Sequence, residues 1–150
     1  MDLQFYRGKT VLVTGHTGFK GSWMCKVLKM QGANVIGYAL PAPTVPSLFE
    51  LSDMAKGMIS VEGDIRDLKR LNEVFDTYQP EIVIHMAAQP IVRESYVNPV
   101  YTYETNVIGT VNCMQACFPY LKETGKTRHA KVITYGSASG TTGSPTMSAY

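Results

Sequence analysis

The sequence has few cysteines, little net charge and no long apolar run, and each shortage excludes a class of protein. Three cysteines in 150 residues are too few, and odd in number, for a disulfide framework. Fourteen Lys and Arg against twelve Asp and Glu leave a net charge of +2, which gives no reason to expect a nucleic-acid partner or a membrane surface. No apolar stretch approaches the ~20 residues that span a bilayer, and the N-terminus holds no apolar signal core. We therefore expect a cytoplasmic protein without a membrane segment.

The composition is that of a globular domain. Hydrophobic residues make up 45% of the chain, charged residues 17% and aromatic residues 10%, which excludes a disordered, collagenous or coiled-coil protein. The histidines and cysteines show no spacing that completes a metal-ligand set, so we expect no metal. A chain of this length can bury roughly 68–70% of its unfolded surface, enough for one core.

Short apolar runs alternate with segments of helical periodicity along the whole chain. The predicted strands cover residues 10–14, 34–38, 58–61, 81–86 and 131–135. The predicted helices cover residues 22–30, a segment that starts at Asp67, and a long segment from 98 to 118 that Pro119 ends. This order predicts an α/β fold, a Rossmann-type doubly wound parallel sheet in three α/β/α layers. The expected strand order is 3-2-1-4-5, with the fold truncated after the fifth strand.

A glycine-rich turn lies between the first predicted strand and the first predicted helix. Gly15, Gly18 and Gly21 are spaced three and three, in the strand–turn–helix context that gives such glycines their meaning. They allow a tight turn, a close approach to a pyrophosphate and close packing of the helix on the sheet. The pattern predicts a dinucleotide site, although glycines that serve only turn and packing remain the alternative. The candidate cofactor-binding residues of the turn are Gly15, His16, Thr17, Gly18, Phe19 and Gly21.

Two further segments make the chain resemble the short-chain dehydrogenase/reductase superfamily: residues 63–67 (GDIRD) and residues 85–89 (HMAAQ). The resemblance implies that the side chain of Asp64 and the backbone amide of Ile65 contact an adenine. It also implies that small residues after the fourth strand leave room for the nicotinamide ribose. The candidates there are Ala87, Ala88 and Gln89. A cap at Asp64 and simple core filling by the alanines are the alternatives.

The end of the second strand bears on the choice of cofactor. The residues Tyr38, Ala39 and Leu40 provide no acidic group for a ribose 2′-hydroxyl, and no Arg or Lys for a 2′-phosphate. We expect NAD rather than NADP.

Residues 8–111 resemble one family in particular, the CDP-glucose 4,6-dehydratases. The resemblance rests on long blocks: residues 15–23 (GHTGFKGSW), residues 37–50 and residues 85–93 (HMAAQPIVR). It implies an NAD-dependent lyase that converts CDP-glucose to CDP-4-keto-6-deoxyglucose by internal hydride transfer and loss of water. It also implies a nucleotide-sugar substrate and a homo-oligomer. On this interpretation residues 1–150 are the N-terminal part of an NAD-binding Rossmann domain, and this chain lacks the substrate domain.

The expected catalytic residues depart from that family. Its Ser-Asp-Lys falls on Ser137, Ala138 and Ser139, so the acid and the base are missing. Residues 117–150 resemble instead the classical short-chain dehydrogenases, in which a serine lies thirteen positions before the catalytic tyrosine, as Ser137 lies before Tyr150. The asparagine of the long helix in those enzymes corresponds to Asn106.

The candidate catalytic residues are therefore Ser137, Tyr150 and Asn106. The lysine that lowers the pKa of the tyrosine in those enzymes falls past residue 150. Ser137 as an ordinary strand-end residue and Tyr150 as an idle terminus are the alternatives. Three functions stay open: a CDP-glucose dehydratase, a classical-type NAD(P)-dependent dehydrogenase acting on an unknown alcohol or ketone, and a dinucleotide-binding module without catalysis.

Overall fold

Four parallel strands form one sheet in the computed structural model of the protein, which describes residues 3–136. The strands are β1 (Thr10–Thr14), β2 (Asn34–Ala39), β3 (Ile59–Glu62) and β4 (Ile82–His85). Their order across the sheet is β3-β2-β1-β4. The register aligns the end of β1 with its neighbours, since Thr14 lies opposite Tyr38 of β2 and His85 of β4. The carboxyl ends of the strands therefore meet along one edge of the sheet.

Helices connect the strands and cover the sheet. They are α1 (Phe19–Met30), α2 (Leu48–Leu51), α3 (Leu68–Tyr78), α4 (Val92–Val97), α5 (Pro99–Tyr103) and α6 (Gly109–Thr124). A π-helical turn, Glu104–Ile108, joins α5 to α6, and a 3-10 turn, Leu3–Tyr6, precedes β1. We call residues 104–108 the π segment. Within the described part of the chain, no helix is both long and apolar enough to cross a membrane.

Alternating residues of the central strands supply two separate cores. Leu12 and Ile36 face α3 and α6, whereas Val11, Val13 and Val35 face α1. β1 is apolar on both faces because helices cover it on both sides, which is the usual condition of a parallel strand. The helix–sheet–helix layering confirms the predicted fold class.

Local signals in the sequence fix several helix ends. The side chain of Asp67 caps α3 by accepting a hydrogen bond from the amide of Arg70 at 2.9 Å, as the sequence predicts. Asn98 caps α5, where Pro99 occupies the first turn. Gly32, just past α1, has a φ of +75°, a backbone conformation that favours glycine.

The predicted fifth strand is wrong for the structure as described. Residues 131–135 form neither helix nor strand, and the side chains of Ile133 and Tyr135 are 76% and 98% exposed. A β-branched apolar run becomes a parallel strand only when its backbone pairs with a neighbour and helices cover its faces. Those conditions are not met beside β4, whose residues are all only half-buried. The order is therefore 3-2-1-4.

The predicted long helix from 98 to 118 is also wrong in two respects. It is interrupted by the π segment, and it does not end at Pro119, because α6 continues through that proline to Thr124. A proline inside a helix removes one backbone hydrogen bond and strains the preceding turn, but it does not end a helix that packing holds in place. Cys113 and Ala116, which are buried against α3, provide that packing just before the proline.

Replacement of Pro119 by alanine is expected to stabilise the protein. The alanine amide restores a hydrogen bond to the carbonyl of Gln115, and we expect the free energy of unfolding to rise by about 1–3 kcal/mol. Urea denaturation measures the change. The control is Pro41→Ala in the irregular segment after β2, which restores no helical hydrogen bond and is expected to give no gain. Equal effects of the two substitutions would contradict the assignment of Pro119 to the interior of α6.

Candidate dinucleotide-binding site

Two of the three glycines in the turn after β1 are required by the fold. Gly15 has a φ of +71°, and a Cβ there would lie 2.8 Å from the Cα of Ala87. A Cβ at Gly21 would lie 2.1 Å from the carbonyl oxygen of Gly15, closer than any real contact. The first turn of α1 therefore packs directly on the backbone of the β1 turn, which only glycine permits.

Gly18 is different, because the fold does not need a glycine there. Its φ is −74°, which any residue can adopt, and the nearest atom to an added Cβ is the carbonyl oxygen of Gly15 at 3.4 Å. Within residues 3–136, no atom outside Gly18 and its two chain neighbours lies closer to the space of the missing side chain. Gly18 thus leaves bare backbone at the start of α1.

The N-terminus of α1 also lacks the groups that neutralise other helix starts in this chain. Gly18 provides no side-chain cap, and the first turn of α1 contains no acidic residue. The starts of α2 and α3, in contrast, are capped by Ser47 and Asp67. A helix start has N–H groups without intrahelical partners and a partial positive charge. An uncapped start behind a glycine turn is suited to hold a phosphate.

The side chains of the turn itself point in different directions. The ring of His16 is 1% exposed and bonds to the hydroxyl of Ser60 through Nε2 at 2.7 Å. Thr17 donates its hydroxyl proton to the carbonyl of Leu40 at 2.9 Å, and Phe19 is largely exposed. The structure therefore places the imidazole of His16 in the core, where its hydrogen bond to Ser60 attaches the turn to β3.

Burial determines the charge of this histidine. It lowers the pKa of His16 to about 4. A Cβ on Gly37 would lie 2.3 Å from the ring, and the ring of Phe49 meets its edge at a centroid distance of 5.2 Å. The tightly enclosed imidazole is neutral at physiological pH.

The turn after β3 carries Asp64 and Ile65, the residues predicted to contact adenine. The carbonyl of Asp64 accepts hydrogen bonds from the hydroxyl of Tyr38 at 2.8 Å and from the amide of Asp67 at 3.0 Å. The side-chain amide of Asn112, on α6, donates to the carbonyl of Ile65 at 3.0 Å. Backbone and side chains from three elements therefore fix the direction of this turn.

The carboxylate of Asp64 is bound by Arg66. The guanidinium donates to both carboxylate oxygens, and the amide of Arg66 donates to Oδ1 at 2.9 Å. Hydrogen bonds from Arg66 hold the pKa of the Asp64 carboxyl below its ordinary value, although partial burial opposes the change. A groove of about 460 Å³ opens beside this pair, lined also by Asp67, Glu104 and Ile108.

The loop after β4 is held by the end of β1. The buried hydroxyl of Thr14 accepts from the amides of Met86 and Ala87, at 3.0 and 3.2 Å. The hydroxyl of Thr14 can therefore donate its own proton in a hydrogen bond to Nδ1 of His85, 2.7 Å away. The neutral imidazole then carries its proton on Nε2, which lies 3.2 Å from the hydroxyl of Thr110 on α6. Burial lowers the pKa of His85, consistent with the neutral form.

Asn106 lies in the π segment and braces the same loop. Its side chain accepts from the amide of Gln89 at 2.8 Å and donates to the carbonyl of Gln89 at 3.0 Å. Gln89 is itself buried, and its side chain donates to the hydroxyl of Thr102 at 2.9 Å. Both amide atoms of Asn106 are thus engaged within the protein. π-Helical turns are frequent at functional sites, where they re-aim a residue of a helix.

The structure brings most of the predicted site residues to one edge of the sheet. The turns after β1, β3 and β4 all lie at the carboxyl ends of neighbouring parallel strands. The binding role of the individual residues stays a prediction, and so does a catalytic role for Asn106. Ser137 and Tyr150 lie outside the described residues.

The reasoning from sequence did not single out several residues that hold this site, among them Thr14, Tyr38, Arg66 and Asn112. Asn112 carried a usable signal, because asparagine is disfavoured inside helices and needs a reason to be there, as Asn106 does. Thr14 and Tyr38 lie at or near the ends of strands predicted from their apolar residues. The partners of their hydroxyl groups become visible only from the register of the sheet.

The described residues offer no activated nucleophile and no metal cluster. Burial raises the pKa of Cys113 to about 12 and that of Cys117 to about 11, so both thiols stay protonated. Among residues 3–136, no three side chains of His, Cys, Asp or Glu converge as metal ligands. The site as described is suited to binding.

The fold is a Rossmann-type parallel sheet with helices on both faces, and the predicted site residues of the turns after β1, β3 and β4 lie at the carboxyl ends of its strands. The family model for GDP-mannose 4,6-dehydratase matches residues 12–143, and the chain belongs to that family of nucleotide-sugar enzymes. The chain is 56% identical over 115 residues to the CDP-glucose 4,6-dehydratase of Salmonella typhimurium, covering 77% of this chain and 32% of that enzyme. The predicted resemblance to this enzyme and its superfamily is confirmed.

Solved structures agree with the assignment. The UDP-glucose 4-epimerase of Thermus thermophilus, a complex with NAD, superposes with a TM-score of 0.67 at 33% identity, over 74% of this chain and 34% of that one. The epimerase of Brucella ovis, also with NAD, gives 0.61 at 37% identity, over 73% and 32%. NAD, the cofactor predicted from sequence, is thus the cofactor of this fold in its relatives. The chain spans about a third of the length of each protein named here.

The pKa of His16 makes stability depend on pH. A histidine whose pKa falls from 6.5 to about 4 on folding stays neutral in the fold, so protonation favours the unfolded chain. The free energy of unfolding is expected to fall as the pH drops from 6.5 to 4, by up to about 3 kcal/mol at ~1.4 kcal/mol per pH unit. Urea denaturation over this range measures the slope.

The substitution His16→Gln is expected to flatten that slope. His129, which is exposed, provides the control, because His129→Gln is expected to leave the slope unchanged. A His16→Gln protein with the slope of the parent would contradict the buried, neutral imidazole.

Proposed function

We propose that this chain binds NAD across the carboxyl ends of its strands, as the dinucleotide-binding part of a CDP-glucose 4,6-dehydratase. The observation that supports NAD binding most directly is the uncapped start of α1. The fold does not require a glycine at position 18, yet Gly18 leaves the backbone there without a side chain. The 56% identity to the Salmonella enzyme supports CDP-glucose as the substrate. The chain covers about a third of that enzyme, so the proposed reaction belongs to the whole protein.

The three turns divide the cofactor between them. The amides at the start of α1 hold the pyrophosphate, since they combine free N–H groups with the positive end of the helix. The carboxylate of Asp64 and the amide of Ile65 hold the adenine. Ala87 and Ala88 make room for the nicotinamide ribose, and Asn106 keeps that loop in place through Gln89.

The proposed reaction needs an internal oxidant, and NAD held by the three turns would supply it as a hydride acceptor. The protein must add a base for the sugar hydroxyl and an acid for the departing water. Tyr38, at this edge of the sheet, is suited to neither role, because burial raises its pKa to about 12 and its hydroxyl donates to a backbone carbonyl. The carboxylate of Asp64 is held by Arg66. We assign proton transfer to the segment that contains Ser137 and Tyr150.

That segment also carries the second candidate function. The spacing of Ser137 and Tyr150 is that of a classical-type short-chain dehydrogenase, which would act on a simple alcohol or ketone. A dinucleotide-binding module without catalysis is the third candidate. The substrate experiment below separates these candidates from the dehydratase.

We further propose that the protein acts in the cytoplasm and forms a homo-oligomer. The π segment and α6 present apolar side chains at helical spacing to the surface, each 42–63% exposed. They are Val107, Val111, Met114 and Phe118. An apolar stripe of this kind favours association.

Gly18→Ala is expected to weaken NAD binding without destabilising the fold. The added methyl group lies 3.4 Å from the nearest protein atom, but it projects from the backbone that is proposed to meet the pyrophosphate. We expect the Kd for NAD, measured by isothermal titration, to rise about tenfold or more, which corresponds to ~1.4 kcal/mol. The thermal midpoint is expected to stay within a few degrees of the parent.

The matched control is Gly125→Ala at the end of α6, where the methyl group meets a carbonyl oxygen at a similar 3.3 Å. Its Kd is expected to equal that of the parent. NAD binding by the Gly18→Ala protein with unchanged affinity would contradict the proposed pyrophosphate position, and no binding by the folded parent would contradict the function.

A chimera tests which reaction this chain supports. In it, residues 1–150 of this chain replace the corresponding part of the Salmonella enzyme, so that the segment with Ser137 and Tyr150 is included. We expect the chimera to convert CDP-glucose to the 4-keto product, because this chain supplies the cofactor turns and the remainder supplies the substrate side. Appearance of the absorbing 4-keto sugar is the readout, with UDP-glucose and a panel of simple alcohols assayed beside CDP-glucose.

The same chimera with Gly18→Ala is the control, and its reaction is expected to need a higher NAD concentration. A folded, NAD-binding chimera that forms no keto-sugar would contradict the dehydratase assignment. Oxidation of a simple alcohol instead would favour the classical-type dehydrogenase.

A further inference from the structure

Arg66 binds the carboxylate of Asp64 more completely than a surface ion pair requires. Its Nε lies 3.1 and 3.0 Å from the two carboxylate oxygens, and its Nη2 lies 2.6 Å from Oδ2. Its backbone amide adds a further hydrogen bond to Oδ1 at 2.9 Å. Three N–H groups of one residue therefore determine where this carboxylate points.

Arg66 is in turn held from the other side of the groove. Its Nη1 bonds to the carboxylate of Glu104, the first residue of the π segment, at 3.1 Å. Its Cζ lies 4.9 Å from the ring centroid of Tyr101, within the range of a cation–π interaction. The guanidinium thus connects the turn after β3 to the helical segment that follows β4.

The backbone on both sides of Asp64 leaves this arrangement little freedom. Tyr38 fixes the carbonyl of Asp64, and Asn112 fixes the carbonyls of Ile65 and Arg66 at 3.0 and 3.1 Å. Because the backbone is already fixed, the remaining variable is the rotation of the Asp64 side chain. Arg66 controls that rotation.

An ionised carboxylate is a pure acceptor, and this determines which purine it can face. It accepts a hydrogen bond from an exocyclic amine at position 6 of a purine, and it repels an oxygen at the same position. Arg66 reaches the carboxylate with three N–H groups, one of which is shared between both oxygens, whereas a carboxylate offers about four acceptor sites, and the Asp64 side chain remains 23% exposed. A positioned carboxylate can therefore still discriminate between the two bases.

We propose that Arg66 is a positioning residue that determines specificity. Held by Glu104 and Tyr101, it fixes the Asp64 carboxylate, and the site therefore selects a 6-aminopurine dinucleotide over its 6-oxopurine counterpart. This inference rests on the proposed function, since it assumes that the adenine of NAD lies against Asp64. Arg66 acts through Asp64 and does not itself contact the base.

The test compares NAD with nicotinamide hypoxanthine dinucleotide, whose base has an oxygen in place of the amine at position 6 and a proton on N1. The parent chain is expected to bind NAD about tenfold or more tightly, because a hydrogen bond to a charged group is lost and an oxygen meets a carboxylate. Arg66→Lys keeps the charge but loses the forked grip, and it is expected to reduce the ratio of the two Kd values to about threefold or less. For Glu104→Gln, the ratio of the two Kd values is expected to lie between those of the parent and of Arg66→Lys.

The matched control is Arg70→Lys on α3. Arg70 makes an ion pair with Glu73 on the same helix at 3.0 Å, and its guanidinium donates to that residue rather than to Asp64. Its ratio is expected to equal that of the parent. Titration calorimetry gives both Kd values, and circular dichroism verifies that each variant is folded.

The outcomes separate this inference from the proposed function. A folded parent that binds neither dinucleotide would overturn the proposed function. A parent that binds NAD but binds the hypoxanthine analogue equally well would overturn the inference, as would an Arg66→Lys protein that keeps the parent ratio. A loss of affinity for both ligands by the same factor in Arg66→Lys would also overturn it, since that is the result of a purely structural role.

Discussion

The contact between the backbones of Gly15 and Gly21 is the constraint on which the site depends. It brings the first turn of α1 directly onto the end of β1, because neither residue has a side chain to hold them apart. That contact fixes the helix start at the carboxyl edge of the sheet, next to Tyr38 and Ala87. With the glycines in place, Gly18 leaves bare, half-buried backbone at the start of α1, where the amides are suited to hold a phosphate.

Polar groups that look out of place in the sequence hold the other two turns. Asn106 and Asn112 lie inside a helical segment, where asparagine is unfavourable. The side-chain amide of each hydrogen-bonds to the backbone of a neighbouring loop. The buried hydroxyl of Thr14 does the same from the end of β1. The three turns are thereby aligned before any ligand binds, and binding energy is not spent on ordering them.

The sequence alone was sufficient for four of the five predicted strands and for the turns that follow them, since β1, β2 and the cap at Asp67 are determined by local apolar runs and capping chemistry. It was insufficient where distant packing decides. Residues 131–135 have strand propensity but no covered edge to pair with, and Pro119 stays inside α6 because buried neighbours hold the helix. The inward position of the His16 ring depends on the gap above Gly37, which no pattern in the sequence reveals.

The central claim is that backbone amides at the start of α1 and in the turn after β3 hold a dinucleotide. Two-dimensional amide NMR of the folded chain during NAD addition tests it most directly. The account predicts that the largest shift changes occur at the amides of Phe19, Lys20 and Ile65. Saturable NAD binding that leaves all three amides unmoved would contradict it.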